Sequence, residues 1–252
     1  MEHWFVGELE VFVAEDDRAM GEAAAADFAV TAGLLLAERE EISVVMATAP
    51  SQASFHRALS GQGGIDWGRV NLFHLDELVG VGADDRRSMA WQGRQLAERL
   101  GVKEFFPLNG LNDPMTEARR YTEILNWYRP AIGVLGIGET GHLAFNDPPA
   151  DFATDHLMAV VELAEGSKRQ MVGEGGFADL AAVPSLAVSM TVPGLLRPEH
   201  LIVVVPEERK AAAVKGALQG PVDPGVPASI LQTAPQARMY LDRAAASLLD
   251  WG

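Results

Sequence analysis

Apolar and polar positions along this chain sort into two kinds of segment that alternate from one end to the other. Strands are predicted over residues 8–16 (ELEVFVAED), 42–48 (ISVVMAT), 70–77 (VNLFHLDE), 131–138 (AIGVLGIG) and 200–206 (HLIVVVP), with 42–48 a mostly apolar run rich in β-branched residues. Such runs suit a parallel sheet covered on both faces, where no polar alternation is required. Between them lie helix-favouring stretches at residues 18–40, 89–100, 116–128 and 207–218, with a further helix opening on Ser51 and another near Ser167. Asp16 or Asp17 is placed to cap the first of these. The run LMAVVEL and the run SLAVSMTVPGLL occupy the second half, and ARMYLDRAAASLL closes the chain as a strand and a helix.

Strands and helices in this order predict an α/β fold: a doubly wound, mostly parallel sheet with helices on both faces and right-handed crossovers. No internal repeat, low-complexity tract or long linker divides the chain, so a single domain over 1–252 is expected. A sheet of this kind places its ligand beyond the carboxyl ends of its strands, near the point where the strand order reverses. Four predicted strand exits carry polar or glycine-rich residues: Thr48 to Ser51, Asp76 with Glu77, Gly136 to Asp147, and Lys210.

Composition narrows the class. Apolar residues are 48% and charged residues 22%, ordinary for a chain that buries a sizeable core. Twenty Lys and Arg against 35 Asp and Glu leave a net charge of −15, which argues against a nucleic-acid partner reading the phosphate backbone. A small anionic ligand stays open, because local donors decide that. Cysteine is absent, which fits a reducing compartment and removes thiolate chemistry and Cys-based zinc sites. No secretory signal is visible at the start, and the longest unbroken apolar runs are strand-length, so no membrane partner and a cytoplasmic location are expected.

The stretch GIGETGHLAFNDP concentrates the candidate chemistry. Gly136, Gly138 and Gly141 permit a sharp turn with exposed N–H groups. His142 can transfer a proton near neutral pH if something orients its ring, and Asp147 is the candidate orienter. A structural histidine in an ordinary turn fits the same residues. So, literally, does a dinucleotide fingerprint, although Asn-Asp-Pro continues it poorly as a helix. The acids Asp76 and Glu77 can divide labour as a base and a positioning group, or merely solvate a loop or cap a helix. Thr48 and Ser51 offer hydroxyls to an anion, with plain N-capping by Ser51 as the alternative. Lys210 opposes the dipole of the helix it opens, which phosphate neutralisation would explain and solvent would tolerate.

Taken in order, the hydroxyl loop, "LDE", "GIG..GHLAFN.P", "VP..RK" and "PASILQ" resemble the glucosamine-6-phosphate isomerase/deaminase family, in a superfamily shared with the 6-phosphogluconolactonases. The resemblance spans about residues 44–241, and its most specific piece is GHLAFNDP, similar to the family's Gly-His-Ile-Ala-Phe-Asn-Glu-Pro. It implies that Thr48, Ser51 and Lys210 hold a sugar phosphate, with Glu77, Gly138 and Gly141 completing the binding site. It implies that His142, oriented by Asp147, assists ring opening, and that Asp76 carries a proton from C2 to C1. An amino group at C2 would then leave as ammonia after imine hydrolysis. No metal or organic cofactor is implied, and relatives differ in oligomeric state, with a homo-oligomer open. Thr140 stands where the family has Asp, Asp147 where it has Glu, Met171 near its phosphate-binding Arg, and Ala49 with Pro50 in its phosphate loop. A sugar-phosphate lactone hydrolase, with His142 activating water, and a non-catalytic sugar-phosphate-binding protein are the alternatives.

Overall fold

The computed structural model describes residues 1–250; positions 251 and 252 of the predicted domain span lie outside the described residues. The strands are β1 (Glu2–Val6), β2 (Leu9–Ala14), β3 (Ile42–Met46), β4 (Val70–Phe73), β5 (Asp76–Leu78), β6 (Glu104–Phe106), β7 (Ile132–Leu135), β8 (Met158–Glu162), β9 (Leu186–Met190), β10 (His200–Val205) and β11 (Ala237–Asp242). The helices are α1 (Asp17–Glu38), α2 (Ala53–Gly61), α3 (Met89–Leu100), α4 (Pro114–Tyr128), α5 (Glu165–Gly173), α6 (Val192–Leu195) and α7 (Ala211–Gln219). Eight strands form one sheet in the order β1-β2-β11-β10-β7-β3-β4-β6, parallel throughout except for the β1–β2 pair. The fold is the expected doubly wound α/β sheet.

The central strands show why their sequences are apolar without alternation. The pleat sends Val44 and Met46 of β3, Ile132 and Val134 of β7, and Ile202 and Val204 of β10 into one core, with Phe28 of α1, Phe55 of α2 and Leu96 of α3. Val45, Leu135, Leu201, Val203 and Val205 go to the opposite core, with Tyr121 and Leu125 of α4 and Val214 of α7. Each large side chain buried this way contributes about 1.5–3 kcal/mol. Strands buried on both faces leave their polar chemistry to the exits, which is where the site lies.

Capping follows local rules. Asp16 accepts from Ala19 N at 2.8 Å and starts α1, and Asp113 accepts from Thr116 N ahead of Pro114 in α4. Gly101, at φ 72°, ends α3 in the left-handed region. Among the described residues α1 alone is long and apolar enough to cross a membrane, with mean hydropathy 1.4, and half of that window is buried inside the fold. Unbroken run length misses this property, because the alanines of α1 are interspersed with polar residues.

Three features depart from the expected pattern. The strand expected over residues 70–77 is broken: β4 stays in the large sheet, while β5 pairs antiparallel with β9 in a separate sheet of order β5-β9-β8. The Tyr121 hydroxyl, bonded to His74 N, and Met190 N, bonded to Leu75 O, take the chain across the gap. The expected closing helix is a series of turns after β11, tied by Asp242 Oδ1 to Ala245 N at 2.6 Å. The expected helix from residue 207 begins with a 3₁₀ turn over Glu208–Lys210, and α7 proper starts at Ala211.

Candidate active site

Strand order reverses between β7 and β3: the chain winds outward through β4 and β6 on one side and through β10 and β11 on the other. At the carboxyl ends of these strands lies a cavity of about 300 Å³. Thr48, Ser51, Asp76, Gly138, His142 and Lys210 all line it. Four separate exits therefore converge on one volume, as a switch point provides.

The β7 exit builds the histidine. Gly141 turns the chain at φ 81°, and Ala144 also takes a positive φ, 50°. The amide of Asn146 ties this turn to Leu143 O at 2.7 Å and to Met190 O at 2.8 Å. The His142 ring lies directly over Gly138: a Cβ there would stand 2.0 Å from ring carbon Cε1. His142 Nδ1 sits 2.9 Å from Thr140 Oγ1 and 3.2 Å from Ser167 Oγ. Asp147 Oδ1 is 3.5 Å from the same nitrogen, beyond a normal N–H···O bond. It accepts instead from Ser167 Oγ at 2.5 Å, while Oδ2 accepts from Ala164 N at the start of α5. Asp147 is thus behind the ring, linked to it through a serine that sequence reasoning did not single out. Thr140, noted only as a missing carboxylate, touches the ring itself. Glu139 does not reach it, since its carboxylate pairs with Arg209 at 2.9 Å.

Asp76 and Glu77, adjacent in sequence, face opposite ways along β5. Asp76 points to the cavity, and no hydrogen bond to its carboxyl occurs among the described residues. Burial, reinforced by the neighbouring Glu77 charge, pushes it up to about 7. Glu77 is buried outside the cavity. Its carboxylate accepts from Ser88 Oγ at 2.6 Å and from Ala90 N at 2.8 Å, anchoring the start of α3. The helix-capping alternative describes this geometry, and the binding role given to Glu77 above is corrected accordingly. Burial still raises its carboxyl.

The anion-binding candidates are unpaired. Thr48 and Ser51 make no hydroxyl hydrogen bond to protein among the described residues, and Ser51 does not cap its turn. Lys210 is 1% exposed, and its ammonium has no hydrogen-bond acceptor among the described residues. Burial, followed by the nearby Arg209 charge, lowers it to about 8. Glu207, at φ 81°, starts the turn that carries Lys210, and its N–H is held by Asp242 Oδ2 at 3.1 Å. Strain of this kind costs on the order of 1–3 kcal/mol and gathers at functional sites. Burial also lowers His142, to about 4, against the opposing pull of Asp147. Near neutral pH the cavity therefore holds a neutral imidazole, a partly ionised carboxyl and a largely protonated amine.

The basic residues beside Met171 do not reach the cavity. Arg169 pairs with Glu165 on the exposed face of α5, Lys168 lies off the lining, and Met171 presents an apolar wall. Arg86 and Arg87, at the end of the loop after β5, line the mouth instead. Arg87 is paired with Asp85 at 2.5 Å, whereas Arg86 lies over Trp91 and forms no ion pair among the described residues. Nothing in the double arginine marked it as different from a solvated loop. Among the described residues no group of three or more His, Cys, Asp or Glu could hold a metal ion.

Comparison with known proteins places the chain in one family. The model of the family described as glucosamine-6-phosphate isomerases/6-phosphogluconolactonase matches residues 15–240. A glucosamine-6-phosphate deaminase of Listeria monocytogenes serotype 4b is 36% identical over 189 residues, 73% of this chain and 78% of that protein. One from Streptococcus equi subsp. zooepidemicus is 32% identical over 81% of this chain and 86% of its own length. The solved structure of a monomeric glucosamine-6-phosphate deaminase superposes with a TM-score of 0.84 at 25% identity, covering 95% of this chain and 99% of that one. A 6-phosphogluconolactonase from Trypanosoma brucei shares the fold, with a TM-score of 0.77 at 16% identity over 95% and 98% of the two chains.

Proposed function

The chain belongs to the glucosamine-6-phosphate isomerase/6-phosphogluconolactonase family, and we propose that it converts glucosamine 6-phosphate, or a close hexosamine phosphate, to the ketose phosphate and ammonia. Lys210, Thr48 and Ser51 hold the phosphate, because a buried ammonium and two unpaired hydroxyls face one cavity with no protein anion bonded to them. His142, neutral near pH 7, takes the proton of the anomeric hydroxyl and delivers it to the departing ring oxygen, opening the sugar to its aldehyde and leaving the imidazole neutral again. Asp76 removes the C2 proton to give an enolamine and returns it at C1, leaving an imine at C2. Water adds to that carbon and ammonia departs, so one water is consumed for each ammonia released.

The observation that carries this reading is the place of the Asp76 carboxyl, in the cavity wall and unbonded by protein, where burial and the Glu77 charge push it up to about 7. A base poised at the working pH is what proton transfer between adjacent carbons needs. Opening a lactone needs no such base, so the same observation disfavours the lactone hydrolase. It also weighs against a purely binding role, for which a desolvated carboxylate beside a phosphate site is only a cost.

A coupled assay on glucosamine 6-phosphate, following ammonia and fructose 6-phosphate together, tests the proposal. Equimolar products from wild type, lost in Asp76→Asn and His142→Ala, are expected. Lactone hydrolysis that survives Asp76→Asn would replace this reading by the hydrolase. Binding of the sugar phosphate without turnover of amino or non-amino sugars would replace it by the binding protein.

A further inference from the structure

Three polar groups crowd one nitrogen of His142, and the short Ser167–Asp147 contact constrains which group gives the proton. Ser167 is 1% exposed and has a single hydroxyl hydrogen. At 2.5 Å from Asp147 Oδ1 and 3.2 Å from His142 Nδ1, that hydrogen belongs on the carboxylate, since charge-assisted O–H···O contacts are the short ones. Asp147 is held as the acceptor by Ala164 N, 2.9 Å from Oδ2, at the start of α5 where the helix dipole favours an anion. Ser167 Oγ then has only lone pairs to offer the ring.

We propose that Ser167 is a positioning residue that sets the tautomer of His142: the proton sits on Nδ1, shared between Ser167 and Thr140, and Nε2 meets the cavity as a bare lone pair. Thr140 Oγ1, 2.9 Å away, accepts the same proton. Its methyl packs where Gly166 has no side chain: a Cβ there would stand 2.8 Å from Thr140 Cγ2, so Gly166 lets α5 seat Ser167 against the ring. The charged groups acting on the imidazole are Asp147, Lys210 and Glu139, and Glu139 is already paired with Arg209. Two hydroxyls backed by one carboxylate thus orient the ring while leaving it neutral. The inference rests on the proposed ring-opening role for its catalytic meaning, but the tautomer is a property of the protein alone.

The test uses ¹⁵N spectra of the histidine rings in the full chain, with the His142 signals assigned by their loss in His142→Asn. Wild type is expected to show a protonated-type Nδ1 and an unprotonated-type Nε2, a readout that requires no Ser167 variant and no substrate. In Ser167→Ala a substantial fraction of the proton moves to Nε2, and Ser167→Thr restores the wild-type pattern. On the proposed substrate, Ser167→Ala lowers kcat about 10–100-fold, the scale of losing the hydrogen-bond partner that orients a metal-bound histidine, with KM within about twofold. A wild-type spectrum with the proton on Nε2, or a Ser167→Ala spectrum unchanged from wild type, overturns the inference. If no sugar phosphate is turned over while the spectra behave as stated, the functional reading fails and the tautomer assignment stands.

Discussion

Replacing Lys210 by Met should make the protein more stable and unable to hold phosphate. Lys210 is fully buried, points to the cavity and has no bonded anion among the described residues, so folding costs it hydration that the nearby Glu174, Glu139 and Glu207 charges offset only in part. Its fall from 10.5 to about 8 corresponds, at about 1.4 kcal/mol for each pH unit, to a penalty of about 3 kcal/mol at pH 7. The folded-state value lies below the unfolded one, so the penalty is complete below about pH 8, fades as pH rises toward 10.5, and vanishes above it. Methionine matches the stem and carries no charge. Lys210→Met should therefore gain about 3 kcal/mol at pH 7, or about 6–12 °C in Tm for a chain of this length. Urea unfolding at pH 7 and pH 10 measures this, with a gain at pH 7 that shrinks at pH 10. Inorganic phosphate at about a hundred times its Kd should stabilise wild type by about 2.7 kcal/mol and leave the variant unmoved. A variant no more stable than wild type at pH 7, or one that phosphate still stabilises, would refute the picture of an incompletely compensated cation kept for an anionic ligand.

Asp76 accepts a proton only when ionised, so kcat/KM should rise through about pH 7 and fall about tenfold for each pH unit below it. In Glu77→Gln the neighbouring charge that helps raise Asp76 is gone, and the acid limb of that profile should move to lower pH. The same variant weakens the anchor of α3 and should lose about 1 kcal/mol in urea unfolding. Gly138→Ala puts a methyl 2.0 Å from His142 Cε1, so the ring must leave its seat. Its turnover should drop at least about a hundredfold with far-UV circular dichroism unchanged, and retained turnover would show that the ring can act from another position.

The strongest local signals were read correctly because nothing distant competes with them. Asp16 caps α1 by a contact three residues away, and the apolar runs of β3, β7 and β10 can only be strands buried on two faces. The residues that fold back over long distances were not legible. The run 70–77 reads as one strand, yet its last residues belong to another sheet, because β9, more than a hundred residues later, supplies the pairing. Asp76 and Glu77 look equivalent in sequence. The pleat of β5 sends one to the cavity and the other to the start of α3, a distinction set by the second sheet.

By itself the sequence determined the alternation of strands and helices, the cap of α1, and the concentration of unusual residues at strand exits. These follow from local rules: period, β-branching, glycine conformations and the geometry of the first helical turn. The GHLAFNDP turn likewise carries its own signature in consecutive residues. Only the tertiary structure decided that Thr48, Asp76, His142 and Lys210 face one cavity, and that Ser167 stands between Asp147 and the ring. Burial, with the neighbouring Glu77 and Arg209 charges, pushes Asp76 up to about 7 and Lys210 down to about 8, since the cost of a charge depends on what surrounds it. That burial comes from elements far apart in the chain, brought together where the strand order reverses.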